Sequence, residues 1–419
     1  MSADKQVLRK AIGARLRAIR EDDPYWTRGE MAQLLRGVAT TAELPHIARL
    51  ASLTDMIKQW EAGAHLPRRR YRLLYCRLSG RAEEELFGPP TGQERMADPS
   101  PEIVAAICTA LFSPSRAGAG EPPAADVLKA RARRAWQLRQ STDYNALGEL
   151  LVGALADSET ALHAHSSGPH SDVLAAYVHI HNAAASLLKR LGASEAAAVA
   201  ADRALQAARA TDDLLLVGAA TLRLANVFLA GGRLTEAVDT AVNGADALLP
   251  RMHDGARYAA TWGALLLTGA VAAASLRDRS QAWEMLGQAK VAGALLDEEF
   301  ADLHAIFGPV NLAIHGVQVA TELDDHREAL LRARRVNADR LPPVLLERRS
   351  TLLIDVARAH RARGDNTAAA GALQEAERVA PQEVRYNPVA RTLASGLLAA
   401  SQRRDPDLRA LAERLGAST

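Results

Sequence analysis

The chain has only two cysteines, Cys76 and Cys108, in 419 residues. Two cysteines cannot build a disulfide framework, and no CxxC or paired Cys/His spacing offers a metal site. Aromatic residues are also scarce, at 4%. Strands draw on β-branched and aromatic side chains, whereas the abundant alanine, leucine and arginine suit helices, so an all-α protein is expected. The longest apolar stretches, such as YAATWGALLLTGAVAAASL, are interrupted by Gly, Thr and Ser and read as buried helices, not membrane spans. The opening MSADKQVLRKAIG has no apolar signal-peptide core. A cytoplasmic protein without a membrane partner is therefore expected. GxSxG, a GK[ST] phosphate loop and HExxH are all missing. Neither an enzyme nor a cofactor is expected.

What remains is length, uneven charge and helical periodicity. A chain of this size exceeds one ordinary core, so two or three domains are expected. Net charge is only +2, but residues 1–88 hold 16 Lys/Arg against 11 Asp/Glu. The remainder is slightly acidic, with 35 basic and 38 acidic residues. Leu8, Ile12, Leu16 and Ile19 mark a first helix over 7–22. Thr27 with Glu30 forms a capping-box pattern ahead of a second helix carrying Met31, Leu34 and Leu35. After the connection GVATTAELPHIARLA, Ser52 or Thr54 is placed to cap a third helix, with Leu53, Ile57 and Trp60 inward. Thr54, Asp55, Lys58 and Gln59 then share the outer face. Gly63 ends that helix, Arg68, Arg69 and Arg70 follow, and a fourth helix carries Tyr71, Leu74, Tyr75 and Leu78. Such a charge run is either a solvated basic face or a grip on a polyanion.

The motifs IGARLRAIRE, TRGEMAQLL, MIKQWEAG with the following LP, and a closing LFG resemble the Cro/C1-type (XRE) helix-turn-helix of phage repressors and their bacterial relatives. That resemblance implies double-stranded DNA as partner, with the third helix in the major groove and flanking residues on phosphates. It places Thr54, Asp55, Lys58 and Gln59 at base-facing positions, Arg28 at a backbone-contacting position, and Arg68 on the basic position after the recognition helix. It also implies a buried ion pair between Arg20 and Glu61. The chemistry of the residues is compatible: Lys58 can donate to guanine, Gln59 can bond adenine bidentately, and Asp55 can accept from cytosine. Arg68, Arg69 and Arg70 can displace counterions from phosphates. The connection before the third helix is longer than the family's tight turn.

Residues 89–124 read as a Pro/Gly-rich linker containing one short helix. From 125 to 419 helices dominate, with five recurring turns: LGASEAA, GGRLTEA, LRDRSQA, LDDHREA and RGDNTAA. Each sets a turn residue five positions before an alanine: Gly192/Ala197, Gly232/Ala237, Arg277/Ala282, Asp324/Ala329 and Gly364/Ala369. The spacing of 40–47 residues fits stacked helical pairs and resembles stretched tetratricopeptide (TPR) repeats. Together, the two halves resemble actinobacterial regulators that join this helix-turn-helix to a TPR-like domain.

Aligned on the turns, the first helices share a polar row on otherwise apolar faces. It comprises His179, Arg223, Asn226, Thr268, Asn311, His315, Gln318, Asp355 and Arg358. The row is either a groove for a peptide or small-molecule effector, or polar groups wetted or satisfied between helices. His163, His165, His170, His179 and His181 lie close in sequence, but an HxH pair on a helix points its rings apart, so no metal site is expected. The expectation is a homodimeric, sequence-specific transcriptional regulator acting on a pseudo-palindrome, with a helical-repeat sensor. The rival is a protein-interaction scaffold with an auxiliary helix-turn-helix.

Overall fold

A computed structural model of the chain describes residues 9, 12–13, 15–17, 19–20, 26–40, 43–79, 83–87, 101–112, 122–164, 171–401 and 405–417. Leu8, His165, His170 and most of the linker lie outside them. Among the described residues the regular structure is helical apart from one pair of two-residue strands, so the protein is all-α. The chain forms two compact units, residues 1–97 and 98–419.

In the first unit a helical segment through Ile12, Leu16 and Ile19 precedes α1 (Arg28–Gly37), α2 (Leu50–Glu61), α3 (Arg69–Ser79) and α4 (Glu83–Phe87). Alternating helical turns place Met31, Leu35, Leu53, Ile57, Trp60, Leu74 and Tyr75 in one core with that segment. The capping box at α1 forms as its spacing predicts. The Thr27 hydroxyl accepts from the Glu30 N–H at 3.2 Å, and the Glu30 carboxylate accepts from the Thr27 N–H at 2.7 Å.

The start of α2 differs from expectation. Arg49 adopts the extended cap conformation, no side chain caps the helix, and the Leu53 N–H bonds the Arg49 carbonyl at 2.9 Å. Ser52 and Thr54 therefore lie inside the helix. The long connection is tied down through its backbone. Arg36 Nη1 donates to the Ile47 and Ala48 carbonyls at 3.3 and 2.8 Å, and Tyr71 Oη accepts from the Ala48 N–H at 3.1 Å. Within it the Glu43 carboxylate pairs with Arg77 at 2.6 Å.

The second unit begins with α5 (Pro101–Phe112). This is the short helix expected in the linker, and it packs through Ile107 and Leu111 into the following helices. Six helical pairs follow: α6/α7 (Ala125–Gln140, Tyr144–Ala164), α8/α9 (Ser171–Arg190, Ser194–Arg209), α10/α11 (Leu214–Ala230, Leu234–Leu248), α12/α13 (Ala256–Ser275, Arg279–Gly293), α14/α15 (Pro309–Glu322, His326–Ala333) and α16/α17 (Leu346–Ala362, Asn366–Val379). Helices α18 (Pro381–Arg385), α19 (Pro388–Ala400) and α20 (Pro406–Arg414) complete the unit.

All five sequence-identified turn residues adopt left-handed backbone, with φ from 59° to 83°. In each turn the N–H of this residue and that of the next return to carbonyls three and five positions back, closing the first helix of the pair. Glycine adopts this conformation without strain; Arg277 and Asp324 do so at some cost. The five alanines that follow are fully buried, because a larger side chain would part the paired helices. A sixth turn of the same geometry stands at Thr142, where Leu147 replaces the alanine. Its residue types hid it from the pattern.

Helix α12 is long and apolar enough to cross a bilayer, yet 89% of its most apolar window is buried inside the unit. After α13, β1 (Phe300–Ala301) and β2 (Ile306–Phe307) pair antiparallel, Phe300 opposite Phe307. The Asp302 carboxylate closes their loop, accepting from the His304 and Ala305 N–H groups at 2.8 and 3.2 Å. The buried Phe307 ring lies over Gly263 of α12, where an added Cβ would meet it at 2.4 Å. Gly263→Ala is expected to destabilise this unit by about 1–3 kcal/mol through overpacking, read as a lower urea midpoint at unchanged slope.

The row of pairs curls until its end meets its beginning. The Tyr144 N–H at the start of α7 donates to Gln382 Oε1 of α18 at 2.8 Å, and its hydroxyl bonds the fully buried Glu383. Arg190 at the end of α8 pairs with the other oxygen of Glu383 at 2.5 Å. The first helix of every pair contributes to the space so enclosed.

Candidate functional site

Two places carry the chemistry, one in each unit. In the first, Glu61 at the end of α2 is fully buried and accepts from Arg20 Nε at 2.6 Å and Nη2 at 3.3 Å. This is the pair that the family resemblance implied. Arg28 also joins it, its Nε 2.8 Å from Glu61 Oε2 with the side chain 38% exposed. One edge of Arg28 is thus held by the core while the remainder faces solvent. The ion triad fixes the end of α2 against α1 and the first helical segment.

On the outer face of α2, Asp55, Lys58 and Gln59 are exposed and make no side-chain hydrogen bond or ion pair among the described residues. Thr54 is half-buried, and its hydroxyl donates to the Leu50 carbonyl at 2.9 Å. It is the least available of the four. Arg68, Arg69 and Arg70 are exposed at the start of α3, and Arg70 Nη1 donates to the His46 carbonyl at 2.7 Å. Three cations at the positive end of a helix are unfavourable in isolation and would be favoured by an anion placed beside them.

In the second unit, the curled pairs enclose a pocket of about 80 Å³. It brings together His179, Arg223, Asn226, Thr268, Asn311 and His315 from α8, α10, α12 and α14. It does not include Gln318, Asp355 or Arg358. Gln318 is half-buried outside the lining. Arg358 bridges Glu322 of α14 at 2.6 Å and Asp355 at 3.1 Å, so these two residues of α16 serve an ion network between pairs. Burial pushes the Asp355 carboxyl up to about 7, with Arg358 opposing and Glu322 adding to the shift.

Part of the polar row is satisfied between helices: Asn226 Nδ2 donates to the Leu222 carbonyl at 2.8 Å and to Thr268 Oγ1 at 3.3 Å. Part is not. Among the described residues Asn182 Oδ1, Asn311 Oδ1 and His179 Nδ1 are buried without a hydrogen-bond partner. His179 and His315 are both held well below the ordinary histidine value. Burial takes His179 down to about 3, with His304 adding to the effect and Asp302 opposing it. Burial and then Arg348 take His315 down to about 4, while its Nδ1 donates to the Asn311 carbonyl at 2.8 Å.

Residues outside the predicted row complete the lining. Trp136 and Arg139 come from α6, Lys189 from α8, and Glu347 with Arg348 from the start of α16. The 302–306 hairpin loop also reaches in, and His304 meets the His179 ring edge-on at 5.1 Å. The sequence did hold a signal for some of these. Counted from the sixth turn at Thr142, Trp136 falls on the row, and Arg139 and Lys189 hold equivalent positions three residues before their turns. The hairpin and the return of α16 have no such local signal.

Among the described residues no three His, Cys, Asp or Glu side chains converge as metal ligands. The chain matches no family model and no curated protein.

Proposed function

We propose that the protein is a sequence-specific DNA-binding transcriptional regulator: the first unit acts as a Cro/C1-type helix-turn-helix, and the second is a TPR-like sensor that also pairs two copies of the chain. The observation that carries this reading is the combination on α2 and α3. A helix clamped at its end by the Arg20–Glu61–Arg28 triad leaves Asp55, Lys58 and Gln59 unpartnered on its outer face, with three exposed arginines directly after it. Rigid placement serves base readout, and a flanking cation cluster supplies affinity that ignores sequence. Arg28 would present its free edge to a phosphate while its Nε remains on Glu61.

Two chains would set two α2 helices about one helical turn of DNA apart on a pseudo-palindromic operator. An effector in the central pocket would act by binding one curvature of the helical pairs better than another. The pocket's small volume suits a small molecule, since an extended peptide would require the curled pairs to part.

The test is fluorescence anisotropy on DNA from upstream of the protein's own gene, across a series of salt concentrations. Joint replacement of Arg68, Arg69 and Arg70 by alanine is expected to weaken binding on every sequence and to flatten the log–log salt slope by roughly 5, for the six arginines of two chains. Lys58→Ala is expected to change sequence preference, by about 1–3 kcal/mol at one base pair. An unaltered slope in the triple variant refutes the phosphate assignment, and wild-type binding indifferent to sequence refutes the regulator.

A further inference from the structure

The central pocket is unusual in its charge. Arg139, Lys189, Arg223 and Arg348 all line it, each from a different helix. The acidic side chains in the lining are Glu347 and Asp302. Asp302 is already paired outward with Arg257 at 3.0 Å and with His304 at 3.2 Å. Among the described residues Glu347 has one ion pair, with Arg348 at 3.4 Å. Arg139, Lys189 and Arg223 make no ion pair within 4 Å among the described residues, and Arg223 Nε is buried without any hydrogen-bond partner. One carboxylate thus faces four cations in a partly dry space, an arrangement that self-repulsion opposes.

We infer that this pocket takes a small molecule bearing a compact oxyanion, a phosphate ester or a carboxylate, seated between Arg139, Lys189, Arg223 and Arg348. The inference deepens the sensor reading by naming the ligand's chemistry. Guanidinium groups match either oxyanion through paired N–H donors. The unpartnered oxygens of Asn182 and Asn311, residues that are 94% and 99% buried, suit hydroxyl or amide donors on the body of the same ligand.

The state of Lys189 supports this. Burial, then the neighbouring Arg190, Arg139 and Arg223, push its ammonium down to about 7, with Glu347 opposing. Arg190 is itself engaged by Glu383, and Arg348 completes the charges facing the pocket. An oxyanion would restore the lysine's ordinary basicity, so binding near pH 7.5 takes up a proton at Lys189 and weakens as pH rises.

The experiment uses the full chain in differential scanning fluorimetry at constant ionic strength set by sodium chloride. Sodium phosphate, citrate and neutral glycerol are the probes. Phosphate or citrate is expected to raise the melting temperature saturably, and glycerol is not. Phosphate alone assigns a phosphate ester, citrate alone a carboxylate, and both together the shared oxyanion chemistry. Arg223→Met and Lys189→Met are each expected to melt no lower than wild type without anion, because they relieve repulsion. Each should bind the effective probe roughly 10–100-fold more weakly. Calorimetry in buffers of different ionisation heat is expected to show proton uptake in wild type and less of it in Lys189→Met.

Variants that melt lower than wild type would make the cations structural and overturn the inference. So would a probe effect equal in wild type and variants, or no effect beyond sodium chloride. Repeating the DNA titration with the effective probe separates the two readings. Anion binding without a change in DNA affinity removes the sensor role but keeps the pocket assignment. DNA binding with no anion response removes only the pocket assignment.

Discussion

Glu61→Gln is expected to remove about 3–5 kcal/mol from the first unit, the loss typical of breaking one side of a buried ion pair. The side chain keeps its shape but loses the charge paired with Arg20, which is only 3% exposed. A unit of this size has roughly 5–10 kcal/mol of stability in total, so most of it would go. Calorimetry should then show the transition of the first unit falling by more than about 12 °C while the other transition stays. Replacing Arg20 and Glu61 with apolar residues, as Arg20→Met with Glu61→Leu, is expected to recover much of the loss, because no buried charge is then stranded and Arg28, 38% exposed, can reach water. A loss below about 1 kcal/mol for Glu61→Gln would show that the triad does not hold the end of α2 in place.

Acid is expected to unfold the second unit before the first. His179 and His181 are held down to about 3 and His315 to about 4, in each case chiefly by burial. Their folded values lie below the unfolded value of about 6.5, so their contribution is present above that pH and is lost as pH falls through the folded values. Each histidine removes about 1.4 kcal/mol per pH unit in that window. Asp355 works the other way. Its folded value of about 7 exceeds the unfolded one, so its contribution is full at low pH and fades as pH rises through 7. Glu299, raised by burial against the Val310 and Asn311 N–H groups, opposes the histidines in the same sense.

Three histidines against these carboxyls leave a net loss of about 2–3 kcal/mol per pH unit between pH 6 and 4.5. Urea titrations at stepped pH, followed by circular dichroism, measure it. His181→Gln should flatten the slope by about one histidine's share, since the ring stacked on Tyr177 at 3.8 Å is then replaced by a side chain that does not titrate. Stability that stays level from pH 7 to 5 would contradict the burial of these rings in solution.

Much of this protein was legible from local pattern. The helical stripes placed the core of the first unit, the Thr27–Glu30 spacing produced its capping box, and the pairing of Arg20 with Glu61 followed from a motif. The five turns were readable because each needs a residue that tolerates left-handed backbone and an alanine that permits close approach. The same logic failed at Thr142, where a β-branched residue takes that conformation and leucine fills the alanine's place. The start of α2 was misjudged because helix entry at Arg49 uses backbone geometry without a side-chain cap.

The polar row was a one-helix argument: six of its nine residues line the pocket and Gln318, Asp355 and Arg358 do not. Periodicity reports which side chains share a face of a helix, and that sufficed for the helical content, the pairing of helices and the turn positions. It carries nothing about how far successive pairs rotate, because that angle is a sum of small packing terms spread over the whole unit. Only the tertiary structure brought Glu383 to Tyr144 and Arg190 from more than 190 positions away. That closure, with the unforeseen hairpin, set Glu347 and Arg348 beside Arg139 and Lys189 and turned a polar row into an enclosed, positively charged pocket.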